Sequence, residues 1–385
     1  MIYTLYNLTK IHLGLHMTYF LPNQEDFNYL RHIDLVVAEP QKYPDKKVLL
    51  PQVAHFPSPG SKPDDWFFDS FLILHSFAPS GNFIYADINC GTTMCGEGDF
   101  HAWLSPNPAT ATDWLGVCDF LVGPESMASR IEAAIEEAAL SLGPPTSKRN
   151  IILPIPYPHP TQWSFGKIED SDDAKSLNFS CVRQRLDEAS TARLEACKWY
   201  VNKCIEKFEK LAPKHLNLLG FYWLYESLHY SWDVDDHWVL KHLYPYLKSI
   251  GMKHIWIPFY STWNVNMMTV GRGKYWDVSF LQPNYMFYKN ITGVRDAAEA
   301  ARETGNGIEM EYMTRQHICP ALDKRHEHYR DYLNGGIQYG YMTDSAVAWF
   351  HGNNDLSWML GADSKVEQEF YHDTYHFVKG DYVLK

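Results

Sequence analysis

The chain has 385 residues, 45% of them hydrophobic and 21% charged, with a formal net charge of -12. That balance belongs to a folded protein able to bury a large core, and it excludes disorder and collagen-like repeats. The acidic charge, without a Lys/Arg patch interleaved with aromatics, excludes a nucleic-acid partner and favours a neutral ligand.

No linker, internal repeat or low-complexity tract divides the sequence. Residues 1–385 therefore read as one domain, with 1–25 as an extended N-terminal segment. Met1–Phe20 is mildly apolar but holds Asn7, Lys10, His12 and His16 and lacks a small-residue cleavage site. No export signal is expected in this chain, and the location is periplasmic or secreted only if such a signal is missing from it, otherwise cytoplasmic. No apolar run approaches the ~18 residues of a membrane span.

Eight short apolar runs follow: Asp34–Ala38, Phe67–Leu74, Asn150–Ile155, Asn217–Trp223, His254–Phe259, Val278–Tyr285, Gly307–Tyr312 and Ile337–Ala348. Between them the pattern predicts helices over Ala128–Leu142, Glu188–Leu211, Asp236–Ile250, Ile291–Gly305 and Arg325–Asn334. Gly143-Pro144-Pro145 and Gly305 are stop signals for two of these. Buried strands alternating with helices about eight times predict an α/β fold, a (β/α)8 TIM barrel. A doubly wound open sheet reads similarly, but no Gly-rich phosphate loop follows the first run. Ser76–Trp114 and Tyr157–Phe179 are long loops after the second and third strands, on the face where barrels build active sites.

Aromatic residues stand out at 15%, with 13 Trp, 25 Tyr and 20 Phe. Their faces pack on the C–H faces of sugar rings, so carbohydrate handling is one account and an aromatic core the other. The seven cysteines, Cys90, Cys95, Cys118, Cys181, Cys197, Cys204 and Cys319, are odd in number and match no zinc spacing, so free buried thiols are expected.

Two places concentrate acidic chemistry. Glu226 ends G-F-Y-W-L-Y-E, just past the fourth run. A carboxyl held against Tyr222, Trp223 and Tyr225 loses hydration in its charged form, and its pKa rises toward that of a general acid. A helix-start glutamate or an ion-pair partner is the competing account. In G-I-E-M-E-Y, Glu309 and Glu311 share one strand face, opposite Ile308, Met310 and Tyr312. Two carboxyls on one buried face demand partners or a function. Glu311 is nearer the C-terminal end and so nearer substrate, while Glu309 lies a layer deeper; pairing with Arg or Lys inside the barrel is the alternative.

Carboxyls after the fourth strand and on the seventh meet across a barrel mouth, as glycosidic cleavage requires. Tyr260 and Trp263 are offered as stacking surfaces, and Gln282 and Asn284 of Q-P-N-Y, with Tyr285, as contacts for sugar hydroxyls. Asp277, Asp69 and His351 complete the candidates, Asp69 with the reservation that it sits early in its strand. His326 and His328 fall on different helix faces and read as solvated surface. Asp233, Asp235 and Asp236 read as helix capping rather than a calcium loop. No metal ligand set or cofactor motif is found.

Several stretches together resemble the DUF4855 family, a bacterial domain-of-unknown-function group related to TIM-barrel glycoside hydrolases. They are W-F-F-D-S-F-L-I-L at Trp66–Leu74, I-P-Y-P from Ile155, G-F-Y-W-L-Y-E at Gly220–Glu226 and I-W-I-P-F-Y at Ile255–Tyr260. Q-P-N-Y at Gln282–Tyr285, G-I-E-M-E at Gly307–Glu311 and F-V-K-G-D-Y at Phe377–Tyr382 complete the set. The resemblance implies a single barrel with Glu226 and the Glu309/Glu311 pair as its acidic positions. That placement is similar to retaining glycosidases with an acid/base after strand four and a nucleophile on strand seven. The expected function is a glycosidase acting on a poly- or oligosaccharide. A non-catalytic glycan-binding barrel is the alternative, and a metal-dependent deacetylase is a more distant one.

Overall fold

The computed structural model describes residues 17–40, 42–85, 108–169, 171, 173, 175–182, 184–260, 262, 264–288, 293–314 and 324–385. Strand β1 (His32–Val37) leads to helix α1 (Lys46–Val53), then to the short antiparallel hairpin of β2 (Ala54–His55) and β3 (Asp65–Trp66), then to β4 (Ser70–Leu74). Helices α2 (Ala111–Val122) and α3 (Met127–Leu142) precede β5 (Arg149–Ile155), and α4 (Leu186–Leu211) precedes β6 (Leu216–Trp223). Next come α5 (Asp236–Ser249), β7 (Lys253–Trp256), α6 (Met267–Val270), β8 (Val278–Leu281), α7 (Val294–Thr304) and β9 (Gly307–Tyr312). Helices α8 (Arg325–Gln338) and α9 (Tyr341–Asp344), strand β10 (Val347–His351) and helices α10 (Asp355–Leu360) and α11 (Lys365–Lys379) end the chain.

Eight of these strands form a closed parallel barrel in the order β1-β10-β9-β8-β7-β6-β5-β4, with β4 pairing β1 to close it. The TIM-barrel expectation is therefore met. Local chemistry sets the helix limits: Thr110 and Asp113 cap α2 reciprocally, Ser126 caps α3, and Asp235 accepts the Trp238 amide at 2.9 Å to start α5. Gly305, with φ of 71°, stops α7 as its sequence position predicts. Gly220 is required for another reason, since a Cβ there would lie 2.0 Å from the Lys253 carbonyl oxygen, where β6 and β7 run closest.

Strand limits differ most from expectation at two places. The run over Ile337–Ala348 is helical through Gln338, and the strand starts only at Val347. Gly335 and Gly336, just past the expected helix end at Asn334, lie inside α8, where a Cβ at either would strike Tyr341 or Phe377. They are there for close packing. The run from Val278 stops at Leu281, because Pro283 offers no amide and Asn284 takes a φ of 56°. Of the loop over Ser76–Trp114, residues 86–107 lie outside the described residues, as do Cys90, Cys95 and Cys319. Cys118, Cys181, Cys197 and Cys204 are free thiols.

The alternation of β9 assigns its two faces. Met310 is level with Trp349 of β10, which packs on Phe377 of α11, and Tyr312 donates to Glu367 near the start of the same helix. Those side chains face the helical shell, so Glu309 and Glu311, level with Ala348 and Phe350, face the barrel interior. Below them Phe280 packs against Phe20, and Phe20 against Phe27, closing the N-terminal end. Among the described residues no helix is long and apolar enough to cross a membrane.

Candidate active site

Glu311 stands near the C-terminal end of β9 with its carboxylate fully buried. Strand β8 pairs with β9 only at Phe280–Gly307 and Leu281–Ile308, so above that level no strand covers Glu311 from this side. The turn after β8 fills the space. Its Asn284 amide donates to Glu311 Oε1 at 3.2 Å, the Met286 amide adds a second bond, and the Tyr332 hydroxyl from α8 donates to Oε2. Burial pushes the Glu311 pKa up to about 8, with the charge of Glu226 adding to the rise against these three donors.

One layer deeper, burial raises Glu309 well above the ordinary carboxyl range, and Glu311 and then Glu226 push it further in the same direction. Among the described residues its Oε2 has no hydrogen-bond partner. Both glutamates feel the charge of Glu226, which follows β6 on the far side of the mouth. Burial and these like charges favour the neutral form of Glu309. Among the described residues neither Glu309 nor Glu311 is paired with Arg or Lys.

The loop bearing Glu226 is pinned on two sides. Ser227 bonds Thr262 at 2.8 Å and Asn264 at 3.1 Å, and Asn264 donates to the Leu228 carbonyl at 2.6 Å. Trp256 donates to the Tyr225 carbonyl at 2.9 Å. Beneath, Arg193 of α4 and Asp236 of α5 form a fully buried ion pair, and Asp236 also accepts from Tyr157 and the His229 amide. Asp235 does the capping expected of the acidic cluster, while Asp236 anchors this network.

Asn284 lies beside Glu311. Among the described residues its buried side-chain oxygen and nitrogen have no hydrogen-bond partner, so the amide is open to a ligand. Gln282 is buried and donates to the Ile257 carbonyl at 3.0 Å, which fixes it at the β7–β8 rim. Half-buried Tyr260 donates its amide to the Gln282 carbonyl, just past β8, at 2.8 Å. Trp263 lies outside the described residues.

The remaining candidates sit elsewhere. Asp69 accepts the Arg31 and His32 amides, and Asp277 accepts the His254 amide and the Tyr244 hydroxyl, so both serve the N-terminal ends of strands. His351 alternates outward, stacked on Trp349 and bonded to Tyr329 at 3.2 Å, while Phe350 takes the interior position. Tyr285 turns to α8, donating to Asp331 at 2.8 Å and packing on His328. Trp223 is fully buried against Tyr157, and the Tyr222 hydroxyl is turned to the Leu224 carbonyl, so neither offers a stacking face. The two α8 histidines are not solvated surface either: His328 is buried, and His326 pairs with Glu367 at 2.6 Å.

Sequence reasoning passed over Tyr332, whose role depends on how α8 docks. It also passed over two exposed tryptophans, Trp163 at 63% and Trp232 at 80% exposure, on the loops after β5 and β6. With Thr161, Asn178, Ser180 and Asp233 they line a cleft of about 360 Å³ on the same end of the barrel as Glu226. Trp in otherwise polar loops, as in T-Q-W-S and Y-S-W-D, was the available signal. Glu132, Glu136 and His215 form a group that would suit a metal ion, but it lies at the start of β6, away from the mouth. There Glu132 already accepts the Lys214 and His215 amides.

The family model described as "Domain of unknown function (DUF4855)" matches residues 39–376. Comparison with curated proteins gives no match. Among solved structures, the catalytic domain of a family GH18 chitinase from the fern Peteris ryukyuensis aligns with a TM-score of 0.40 at 11% identity, covering 91% of this chain and 100% of that one. Concanavalin B aligns at 0.39 and 11% identity, covering 89% and 98%. A mutant tryptophan synthase α-subunit from Pyrococcus furiosus aligns at 0.36 and 10% identity, covering 94% and 99%.

Proposed function

We propose that this chain, which belongs to the DUF4855 family, is a glycoside hydrolase in which Glu311 is the nucleophile and Glu226 the acid/base. The observation that carries this reading is that Glu309 and Glu311 face the barrel interior from β9, while Glu226 follows β6, three strands away around the same closed barrel. In the first step an ionised Glu311 oxygen bonds the anomeric carbon while Glu226 gives its proton to the departing glycosidic oxygen. In the second, Glu226 takes a proton from water, the hydroxyl replaces Glu311 at the anomeric carbon, and the carboxylate is released. Three donors hold the Glu311 carboxylate in one orientation, which suits direct attack and hence net retention. Glu309 stays protonated beneath it as a positioning residue. Asn284 is suited to bind a sugar hydroxyl, and Trp163 and Trp232 to stack outer rings of a longer chain. No step calls for a metal or cofactor.

The test is a library of neutral poly- and oligosaccharides scored by product mass spectrometry. Glu226→Gln and Glu311→Gln are each expected to lower turnover about 10²–10⁴-fold. Proton NMR of the first product is expected to show the anomeric configuration of the substrate. Full turnover in both variants would overturn the assignment. Saturable sugar binding without product, surviving both substitutions, would make the protein a non-catalytic glycan-binding barrel instead.

A further inference from the structure

The end of the barrel opposite the mouth holds a second, chemically different cavity. It measures about 390 Å³ and is lined among others by Arg31, Arg149, Lys379, Thr146, Ser147 and Asp69. Arg31 precedes β1, Arg149 opens β5, and Lys379 ends α11, so three separate elements bring a cation to one place. This happens in a chain of net charge -12, so overall composition does not explain it.

The cations outnumber the anions available to them. Arg149 is only 9% exposed and stacks on Trp66, with its guanidinium carbon 5.2 Å from the ring centroid. Stacking uses a face of the guanidinium and leaves its in-plane N–H groups for an acceptor. Among the described residues Arg149 Nε is buried with no partner, and so is Arg31 Nε. Asp69 and Asp65 act on Arg149 only through space. The Asp69 oxygens are spent on the Arg31 and His32 amides and the Ser70 hydroxyl. Asp65 is taken by Lys379 at 2.8 Å and by the Tyr375 hydroxyl at 2.8 Å. Two guanidiniums partly withdrawn from water without a bound carboxylate are costly unless an anion completes them.

We infer that this cavity is a binding site for a tetrahedral oxyanion, a free phosphate or the phosphoryl group of a small phosphate monoester. Arg31 and Arg149 supply the in-plane N–H groups that match phosphate oxygens, Lys379 adds a third charge at the rim, and the Thr146 and Ser147 hydroxyls donate from the loop before β5. The site is independent of Glu226, Glu309 and Glu311, so it stands whether or not the protein cleaves sugars.

Isothermal titration of the full chain with inorganic phosphate tests it, with glycerol 3-phosphate as the monoester arm and succinate as the control. Saturable one-to-one phosphate binding, weakened about tenfold or more in Arg149→Gln and in Arg31→Gln, is expected. Tighter binding of glycerol 3-phosphate than of phosphate would identify the monoester as the source, and the reverse order the free ion. Should Arg149→Gln lose its native circular dichroism, Lys379→Met and Ser147→Ala at the rim carry the comparison, with about threefold weakening expected from each. No saturable phosphate binding, equal binding of succinate, or binding unchanged by the substitutions in folded protein would overturn the inference.

Discussion

Tyr332, on the helix that follows β9, reaches back to that strand and donates its hydroxyl to Glu311. A donor to the charged form lowers a carboxyl pKa, so Tyr332 and the two backbone amides oppose the burial that brings Glu311 to about 8. With Glu311 as nucleophile and Glu226 as acid, kcat/KM is bell-shaped in pH, its rising limb following formation of the Glu311 carboxylate and its falling limb loss of the Glu226 proton. Tyr332→Phe removes one donor and moves the rising limb upward by about one pH unit. A pH–rate profile of the two proteins on one substrate checks this, and coincident profiles would refute the role given to Tyr332.

Glu309 makes stability depend on pH in a defined direction. Its folded-state pKa is raised, so between the ordinary carboxyl value and the raised one the folded protein binds more protons than the unfolded chain. Stability is then greatest below the unfolded pKa and falls as pH increases. Glu309→Gln copies the neutral acid and removes that fall, leaving the variant more stable than the parent in alkaline solution and no more stable in acid. Urea midpoints at acidic and alkaline pH measure the difference, and an identical pH slope in both proteins would count against a neutral Glu309.

The Arg193–Asp236 pair lies beneath the loop that carries Glu226, with both side chains shut off from water. Arg193→Met leaves Asp236 buried without its cation and is expected to cost about 3–5 kcal/mol. The double variant Arg193→Met, Asp236→Leu regains much of that loss, because no stranded charge remains. Chemical unfolding in a double-mutant cycle decides the matter, and strictly additive losses would show that the two groups are not coupled.

Trp232 separates binding of long substrates from chemistry. Trp232→Ala should raise KM for a long oligosaccharide about tenfold, with kcat and activity on the shortest cleaved substrate unchanged. Initial rates across a ladder of chain lengths test this, and an equal effect on every length would place Trp232 outside the binding cleft.

Much of the fold was legible because fully buried parallel strands write themselves as apolar runs, and seven of the eight expected runs cover most of the strand observed. The eighth misled because Gly335 and Gly336 carry the signal of a helix end, while their actual constraint is the approach of Tyr341 and Phe377. The acidic positions were legible too, since period-two alternation in G-I-E-M-E-Y needs no tertiary knowledge. Positions at strand edges were not. Asp69 and Asp277 read as site residues from their neighbours, yet an acid just before a strand caps backbone amides at the closed end. His351 is one residue out of phase with the interior, and a shift of one residue exchanges the two faces of a strand. Tyr332 was invisible for a further reason, as its partner is fixed by a helix docking angle that no local pattern encodes.

The barrel's ladder is uneven. Strands β5 and β6 share seven registered residue pairs, while β8 is held by two on each side. Native-state hydrogen exchange in such a cylinder would be fastest along the sparsely laced staves, which are also those flanking Glu311. Rigidifying that stretch to gain heat tolerance would therefore work against the gap through which Tyr332 and the amides of the β8 turn meet the carboxylate.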